Sequence, residues 1–317
     1  MIKHLAWIAM IVFGLYAPFI GSADLSISAL LAGDAFSSQL FFELRLPRVV
    51  FAFEAGIMLS LGGLLFQTLF RNPLMTPYTL GISSGAVFGA GVAILLGAGS
   101  IAITAFFGFA GAMSTVVLLI WLAHFLQDSE GNTLLLLGIA LSLFFTSALM
   151  LLFHLGDAMQ NDMLLRFSMG SLSVIGWQMP MLLGATTLIL FGTLWRYRYE
   201  LQIMALSLDQ ARLKGIDTKR LRLLLLLVTS LGIGVLVSIS GPIGFIGLIV
   251  PHMVAKLYRT TLQQRIIPTA LFGGAFLLAC DTLARSLNTA GELPIGIVTA
   301  SIGAPFFIYL ITHKGVA

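Results

Sequence analysis

The sequence predicts an all-α integral membrane protein with about ten transmembrane helices, and three observations carry that reading. Apolar residues make up 58% of the 317 positions and charged residues only 9%. The mean hydropathy is +1.02. Apolar runs recur from end to end at lengths that match a bilayer, for which a helix needs about 20 residues. Helices are the only fit, because backbone groups in lipid must bond within their own segment. The runs are also too continuously apolar for barrel strands.

The expected spans, in chain order, are 5–20, 49–69, 80–97, 101–124, 133–155, 179–195, 221–239, 243–257, 266–284 and 294–312. The first follows Lys3 and His4 and ends near Gly21-Ser22-Ala23, a signal-peptide-like pattern. With so many spans behind it, the expectation is a retained first helix. The eighth is short and interrupted. With the N-terminus inside, Lys and Arg crowd the inner loops: Arg71, Arg196, Arg198, Arg212, Lys214, Lys219, Arg220, Arg222, Lys256 and Arg265 all fall there. The outer loops hold Arg45, Arg48, Arg166 and Arg285. That bias places both termini in the cytoplasm. It also accounts for the net charge of +4 without nucleic acid. The whole chain, 1–317, reads as one transmembrane domain with a cytoplasmic loop at about 197–222.

Local features refine this frame. Gly81, Gly85 and Gly89 form a small-residue face in the third span, suited to close helix packing inside one subunit or to a dimer seam. Asn72-Pro73-Leu74-Met75-Thr76-Pro77 and Gly241-Pro242-Ile243-Gly244-Phe245-Ile246-Gly247 break the helical pattern. Irregular backbone at membrane depth is tolerated only where protein buries it or a cavity borders it. Cys280 is the single cysteine, so no intrachain disulfide or Cys-based metal site is possible. No His/Asp/Glu cluster has metal-ligand spacing, and the expectation is no metal. Glu54, Gln67, His124 and His154 are polar residues within spans and candidates to line a pathway. His154 with Met150, Met159, Met163 and Met169 is conceivable as a haem-ligating set, although methionines in such positions commonly pack.

Several motifs then occur in a specific order: Arg45-Leu46-Pro47-Arg48; Phe70-Arg71-Asn72-Pro73-Leu74; Leu80-Gly81-Ile82-Ser83-Ser84-Gly85-Ala86; Gly241 to His252; Asp281-Thr282-Leu283-Ala284-Arg285; Glu292-Leu293-Pro294-Ile295-Gly296; and Gly303-Ala304-Pro305-Phe306-Phe307. In this order they resemble the FecCD family of ABC importer permeases, which serve ferric siderophores, haem and vitamin B12. The resemblance covers nearly the whole chain and implies a vitamin B12 permease-like fold. It implies two permease subunits, usually identical, around a central pathway, two ATPase subunits on the cytoplasmic face and a two-lobed periplasmic binding protein outside. The chain lacks a GxxxxGK[ST] loop, so it is not expected to be an enzyme itself. ATP and Mg would bind the partner ATPase. The implied substrate is a ferric siderophore or related chelate, with haem and cobalamin open, and the implied place is the bacterial inner membrane.

The resemblance also assigns roles. Arg45, Arg48 and Arg285 match arginines that meet acidic residues on the binding protein, where a guanidinium gives bidentate register. From their own chemistry they fit lipid-headgroup anchoring, or pairing with Glu43 and Glu292, equally well. In the loop at 197–222, Asp209, Ala211, Arg212 and Gly215 stand where the family's coupling helices engage the ATPase. Here Gln210 precedes Ala211, where the family often has an acid. Two short amphipathic segments are expected to meet at Gly215, a residue suited to a helix C-cap. Gly131, Asn132 and Thr133 correspond to the cytoplasmic gate, or form a plain solvated turn. Two other classes stay on the table. An ion-coupled secondary transporter would use Glu54 at the midplane. A membrane-embedded enzyme would need a nucleophile–base pair, and none stands out.

Overall fold

The computed structural model describes residues 10, 12–20, 28, 30, 32–97, 100–126, 132–258, 260–287 and 292–312. Within them the chain is helical and shows no strand. Of the first expected span, 5–20, residues 10 and 12–20 are described. Its described end is a helical stretch closed by a 3-10 turn at Ala17–Phe19.

The centre of the molecule is α1, Ala35–Leu69, whose apolar stretch is 78% buried. Asp34 starts it by accepting from Ser37 N–H at 2.9 Å, a carboxylate N-cap. A π-helical turn, Leu40–Arg45, lies inside it. Its small residues let other helices close to backbone distance. Gly56 meets Gly273 of α11 (Leu262–Ser286), and Gly63 meets Gly247 of α10 (Ile246–Leu257). Ser60 Oγ then donates to Thr269 O of α11 at 3.0 Å.

α2 (Ile82–Leu95) lies along α3 (Ile101–Leu126) in the same manner. Gly85 and Gly89 face Gly111 and the Phe107 carbonyl of α3. The small-residue face is thus spent inside this subunit. α4 (Asn132–Leu155) is the opposite case, with only 11% of its apolar stretch buried. Leu143, Phe144, Met150 and Leu151 stand exposed along it. α6 (Gln178–Arg196), α9 (Thr218–Ser240) and α12 (Ile295–Thr312) complete the long helices.

Three features depart from the expected spans. First, α5 (Ala158–Met169) is an additional helix between α4 and α6, started by a capping box of Asp157 and Gln160. It packs Leu164 against Ile94 and Leu152. Second, the third and eighth spans are half-helices. α2 has 14 residues and α10 has 12, so they reach about 21 Å and about 18 Å at 1.5 Å per residue. Third, the non-helical leads into these two helices find each other: the Ile243 N–H donates to the Tyr78 hydroxyl. Gly81 (φ 78), Gly241 (φ 67) and Phe245 (φ 69) take the left-handed conformations that make these leads possible. A helix continuing through either segment would have met Pro77 or Pro242, which cannot donate. The backbone turns aside instead, and protein groups satisfy it.

One end of the bundle carries α7 (Arg198–Leu206) and α8 (Leu208–Leu213), together with Arg196, Arg212, Lys214, Lys219 and Arg220. It is called the basic face below. The start of α1, the end of α11 and the segment before α12 lie at the opposite face.

The glycine contacts generate a paired expectation. Gly63→Ala places a Cβ on the Gly247 carbonyl and overpacks the α1–α10 contact, at a cost of about 1–3 kcal/mol. Gly192→Ala, where nothing lies within 4 Å, keeps or raises stability through helix propensity. Thermal unfolding of the two purified variants in detergent separates these outcomes.

Candidate functional site

At the face opposite the basic one, four charged side chains form one network. Asp281 and Arg285 are one helical turn apart on α11, and Asp281 is fully buried. Arg48, just after the π-helical turn of α1, donates to Asp281 through Nε at 3.2 Å and Nη2 at 2.9 Å. Its Nη1 reaches Glu292 at 2.8 Å and Ser173 Oγ at 3.1 Å. Arg285 Nε lies 3.0 Å from Asp281 Oδ2, and its Nη1 donates to Ile20 O at 3.0 Å. Arg45 donates to Pro18 O at 3.1 Å. The arrangement fastens α1, α11, the entry to α12 and the 17–20 turn together.

In this placement the three arginines expected to face a partner are largely buried. The Arg285 side chain is 5% exposed and that of Arg48 is 12% exposed; Arg45 is buried as well. Arg48 and Arg285 turn inward to Asp281, in the second turn from the end of α11, and Arg45 turns to the Pro18 carbonyl. The outward member is Glu292, whose side chain is 45% exposed and rests on Arg48. Of the two carboxylates named for pairing, Glu292 pairs with Arg48. Asp281 was overlooked, although its i,i+4 spacing to Arg285 is a legible signal.

At the basic face, α7 and α8 form a compact knob. Ser207 ends α7 and caps α8 by accepting from Gln210 N–H at 3.3 Å. Thus the break between the two short helices falls at Ser207, while Gly215 closes α8. Ile216 N–H bonds Ala211 O at 3.0 Å and Gly215 N–H bonds Arg212 O at 2.9 Å, with Gly215 at φ 77. This is a Schellman closure, which glycine adopts without strain. Asp217 immediately caps α9 through Arg220 N–H at 3.1 Å. Ala211 is fully buried against the knob's base, and Asp209 pairs with Arg212 at 3.4 Å on its surface. Leu206 and Leu213 are 69% and 88% exposed. Two bare leucines on an otherwise basic, polar face are a contact surface that sequence reading passed over.

The remaining candidates scatter. Gly131 of the expected gate lies outside the described residues. Asn132 begins α4 and Thr133 follows it, half-buried. Gln67 is half-buried, and its Nε2 donates to Gly247 O at 3.0 Å, tying α1 to the start of α10. Glu54 lies over Gly184 of α6, where an added Cβ would stand 2.7 Å from Oε1. Its Oε2 is buried with no hydrogen-bond partner among the described residues. His154 is exposed on α4, and Met150, Met159, Met163 and Met169 are exposed rather than packed in the core. No group of three His, Cys, Asp or Glu suited to a metal occurs among the described residues.

Half-helices held by buried polar ties, a largely bare α4 and a capped knob on the basic face define a multi-pass transport subunit. The FecCD transport family model matches residues 9–313, and the chain belongs to that family of ABC permease subunits. It is 35% identical to the ABC transporter permease YvrB of Bacillus subtilis, over 89% of this chain and 82% of that protein. It is 35% identical to the hemin transport permease HmuU of Yersinia pestis, covering 87% and 84% of the two chains. The vitamin B12 import permease BtuC of Pectobacterium atrosepticum is 36% identical over 88% and 84%. A metal-chelate type ABC transporter solved in an inward-facing conformation superposes with a TM-score of 0.89 at 29% identity, covering 98% and 99% of the two chains.

The network predicts unequal responses to neutralisation. Asp281→Asn leaves two buried guanidinium groups without their carboxylate and lowers stability by about 3–5 kcal/mol. Glu292→Gln loses an exposed pair, at a cost of about 0–1 kcal/mol. Thermal melts of the purified variants read the difference directly.

Proposed function

We propose that this chain is the membrane-spanning subunit of an ABC importer that moves a ferric siderophore or related iron chelate from periplasm to cytoplasm. The observation that carries the reading is the α7–α8 knob. It is rigidly closed at Gly215, continuous with α9 through Asp217, and tipped by exposed Leu206 and Leu213. A separate ATPase subunit would cover those leucines. Relatives named for iron chelatin, hemin and vitamin B12 transport support the substrate class. With the basic face cytoplasmic, both termini lie inside and the subunit sits in the inner membrane. The bare apolar side of α4 supports a second copy of the chain across a shared pathway.

For the periplasmic face, the reading assigns a binding-protein contact to Arg48, with Arg45 and Arg285 as its buried supports. A carboxylate from the partner would replace half-exposed Glu292 on Arg48 Nη1 while Asp281 keeps the guanidinium in place. Gly131, Asn132 and Thr133 would form the gate at the start of α4. Nucleotide binding and hydrolysis on the ATPase would displace the knob, and the bundle would open to one side or the other. Such a shift requires each partner to bind the two states with different affinity.

The test is uptake into proteoliposomes containing the permease and its ATPase, with the binding protein added outside. Labelled ferric siderophore, haem, cobalamin and molybdate are compared, the last because a molybdate import permease of Haemophilus influenzae is 32% identical. ATP-dependent siderophore uptake that needs both partners is expected. Uptake driven by an ion gradient without the ATPase overturns the reading in favour of a secondary transporter, with Glu54 its ionisable group. A second measurement isolates the knob. Leu213→Asp removes no buried contact, so the subunit folds, but co-purification of the ATPase falls at least tenfold.

A further inference from the structure

Beside the knob, a cavity of about 480 Å³ opens where the end of α6 and the start of α7 meet the first turns of α11. Trp195, Arg198, Gln263, Gln264, Ile267 and Pro268 line it. The Arg198 guanidinium is fixed in place. Its Nη1 donates to Trp195 O at 2.7 Å, and its Cζ lies 4.5 Å from the Trp195 ring centroid and 4.6 Å from that of Tyr199. The neighbouring Arg196 has Glu200 at 3.7 Å, whereas Arg198 has no carboxylate among the described ion pairs. A guanidinium carries five N–H donors and strongly prefers an oxyanion that takes two together.

The other walls say which oxyanion fits. Trp195 stacks on Phe191 of α6 with centroids 6.1 Å apart, at the end of a span, the level at which tryptophan meets lipid headgroups. Leu188 and Ile189, two turns back along α6, are 72% and 57% exposed, and Ile267 is 43% exposed on α11. The cavity therefore has a cation at headgroup depth, two amide side chains beside it and apolar helix surface leading into the hydrocarbon.

We propose that this cavity seats an anionic phospholipid of the leaflet at the basic face. Arg198 binds the phosphodiester, the Gln263 and Gln264 amides bond the glycerol ester oxygens, and an acyl chain runs along Ile267. Apart from Arg198 at the start of α7, the walls belong to the membrane helices α6 and α11, which favours lipid over a protein partner. The knob's exposed Leu206 borders a different cavity, lined also by Gln202, Thr260 and Thr261. A free phosphate would use the cation and leave the apolar wall empty.

The experiment titrates the full-length permease in neutral detergent with phosphatidylglycerol, phosphatidylcholine and inorganic phosphate, read by native mass spectrometry and thermal unfolding. Phosphatidylglycerol is expected to bind about tenfold more tightly than phosphatidylcholine, the worth of a charge-assisted bidentate contact. Arg198→Gln is expected to erase that difference, Arg198→Lys to keep part of it, and Tyr199→Leu to weaken it while leaving the charge. Size-exclusion profiles without lipid verify that each variant is folded. Equal binding of the two lipids to the wild type overturns the proposal. So does full stabilisation by inorganic phosphate alone. An Arg198→Gln variant that keeps the lipid preference but loses its ATPase assigns the cavity to the protein partner and overturns it too.

Discussion

Backbone-to-backbone contact along α1 is the constraint on which the rest of this structure depends. Hydrophobicity cannot order helices in lipid, because tails and leucines are equally apolar. What orders them here is that α1 shows glycine or serine where α10 and α11 must approach: Gly63 under Gly247, Gly56 under Gly273, and Ser60 reaching Thr269 O. Once α10 is seated on Gly63, Gln67 can reach the Gly247 carbonyl, which lacks its helical donor because Pro251, four residues on, has no N–H. Once α11 is seated on Gly56, Asp281 stands beside Arg48 and the charged network closes. Both polar devices are downstream of close packing.

The fold was legible wherever one residue property decided it. Span existence follows from run length, and the basic face follows from Lys and Arg placement. Helix termini at Gly215 and Asp217 follow from local backbone chemistry. What escaped were outcomes set by partners distant in sequence. Arg48 looks free because its counter-ions, Asp281 and Glu292, lie more than two hundred residues away. Gln67 looks like a pathway residue because its acceptor is a carbonyl, which every residue has. The shortness of α10 is legible in its interrupted run, and α2 differs from its expected span only at its ends, 82–95 against 80–97. α5 was missed because its polar face gives a hydropathy like that of a loop, although Asp157 and Gln160 spell its capping box.

The site divides in the same way. The residues proposed for coupling sit on a local motif, where Ala211, Arg212 and Gly215 share one helix closure. The outer arginines depend on tertiary geometry. A buried ion pair contributes little net stability but is costly to break in half. Holding Arg48 from beneath with Asp281 therefore fixes the guanidinium firmly while leaving Nη1 to an exposed carboxylate that exchanges at little cost. The result is a cation of fixed position with a replaceable partner, a better recognition element than a solvated arginine that must be ordered on contact.

The two faces are joined by α9. Its first turn is capped by Asp217, two residues beyond the glycine that closes the knob. Its last residue, Ser240, accepts the Ser171 N–H at 2.7 Å and leads directly into Gly241. A rigid helix of 23 residues transmits displacement along its length, whereas the five residues after it, with left-handed turns at both ends, do not. Under the proposed function, motion of the knob would therefore arrive at the Gly241–Phe245 break. There the Ile243 N–H is held by Tyr78, from the other non-helical segment. That bond joins the leads of α2 and α10, the two half-helices that do not reach across the membrane. The leads are themselves packed, with Met75, Leu80 and Ile243 buried, so a change between the access states proposed above would have to carry both leads together, whereas moving α1 would separate glycine backbones along its length.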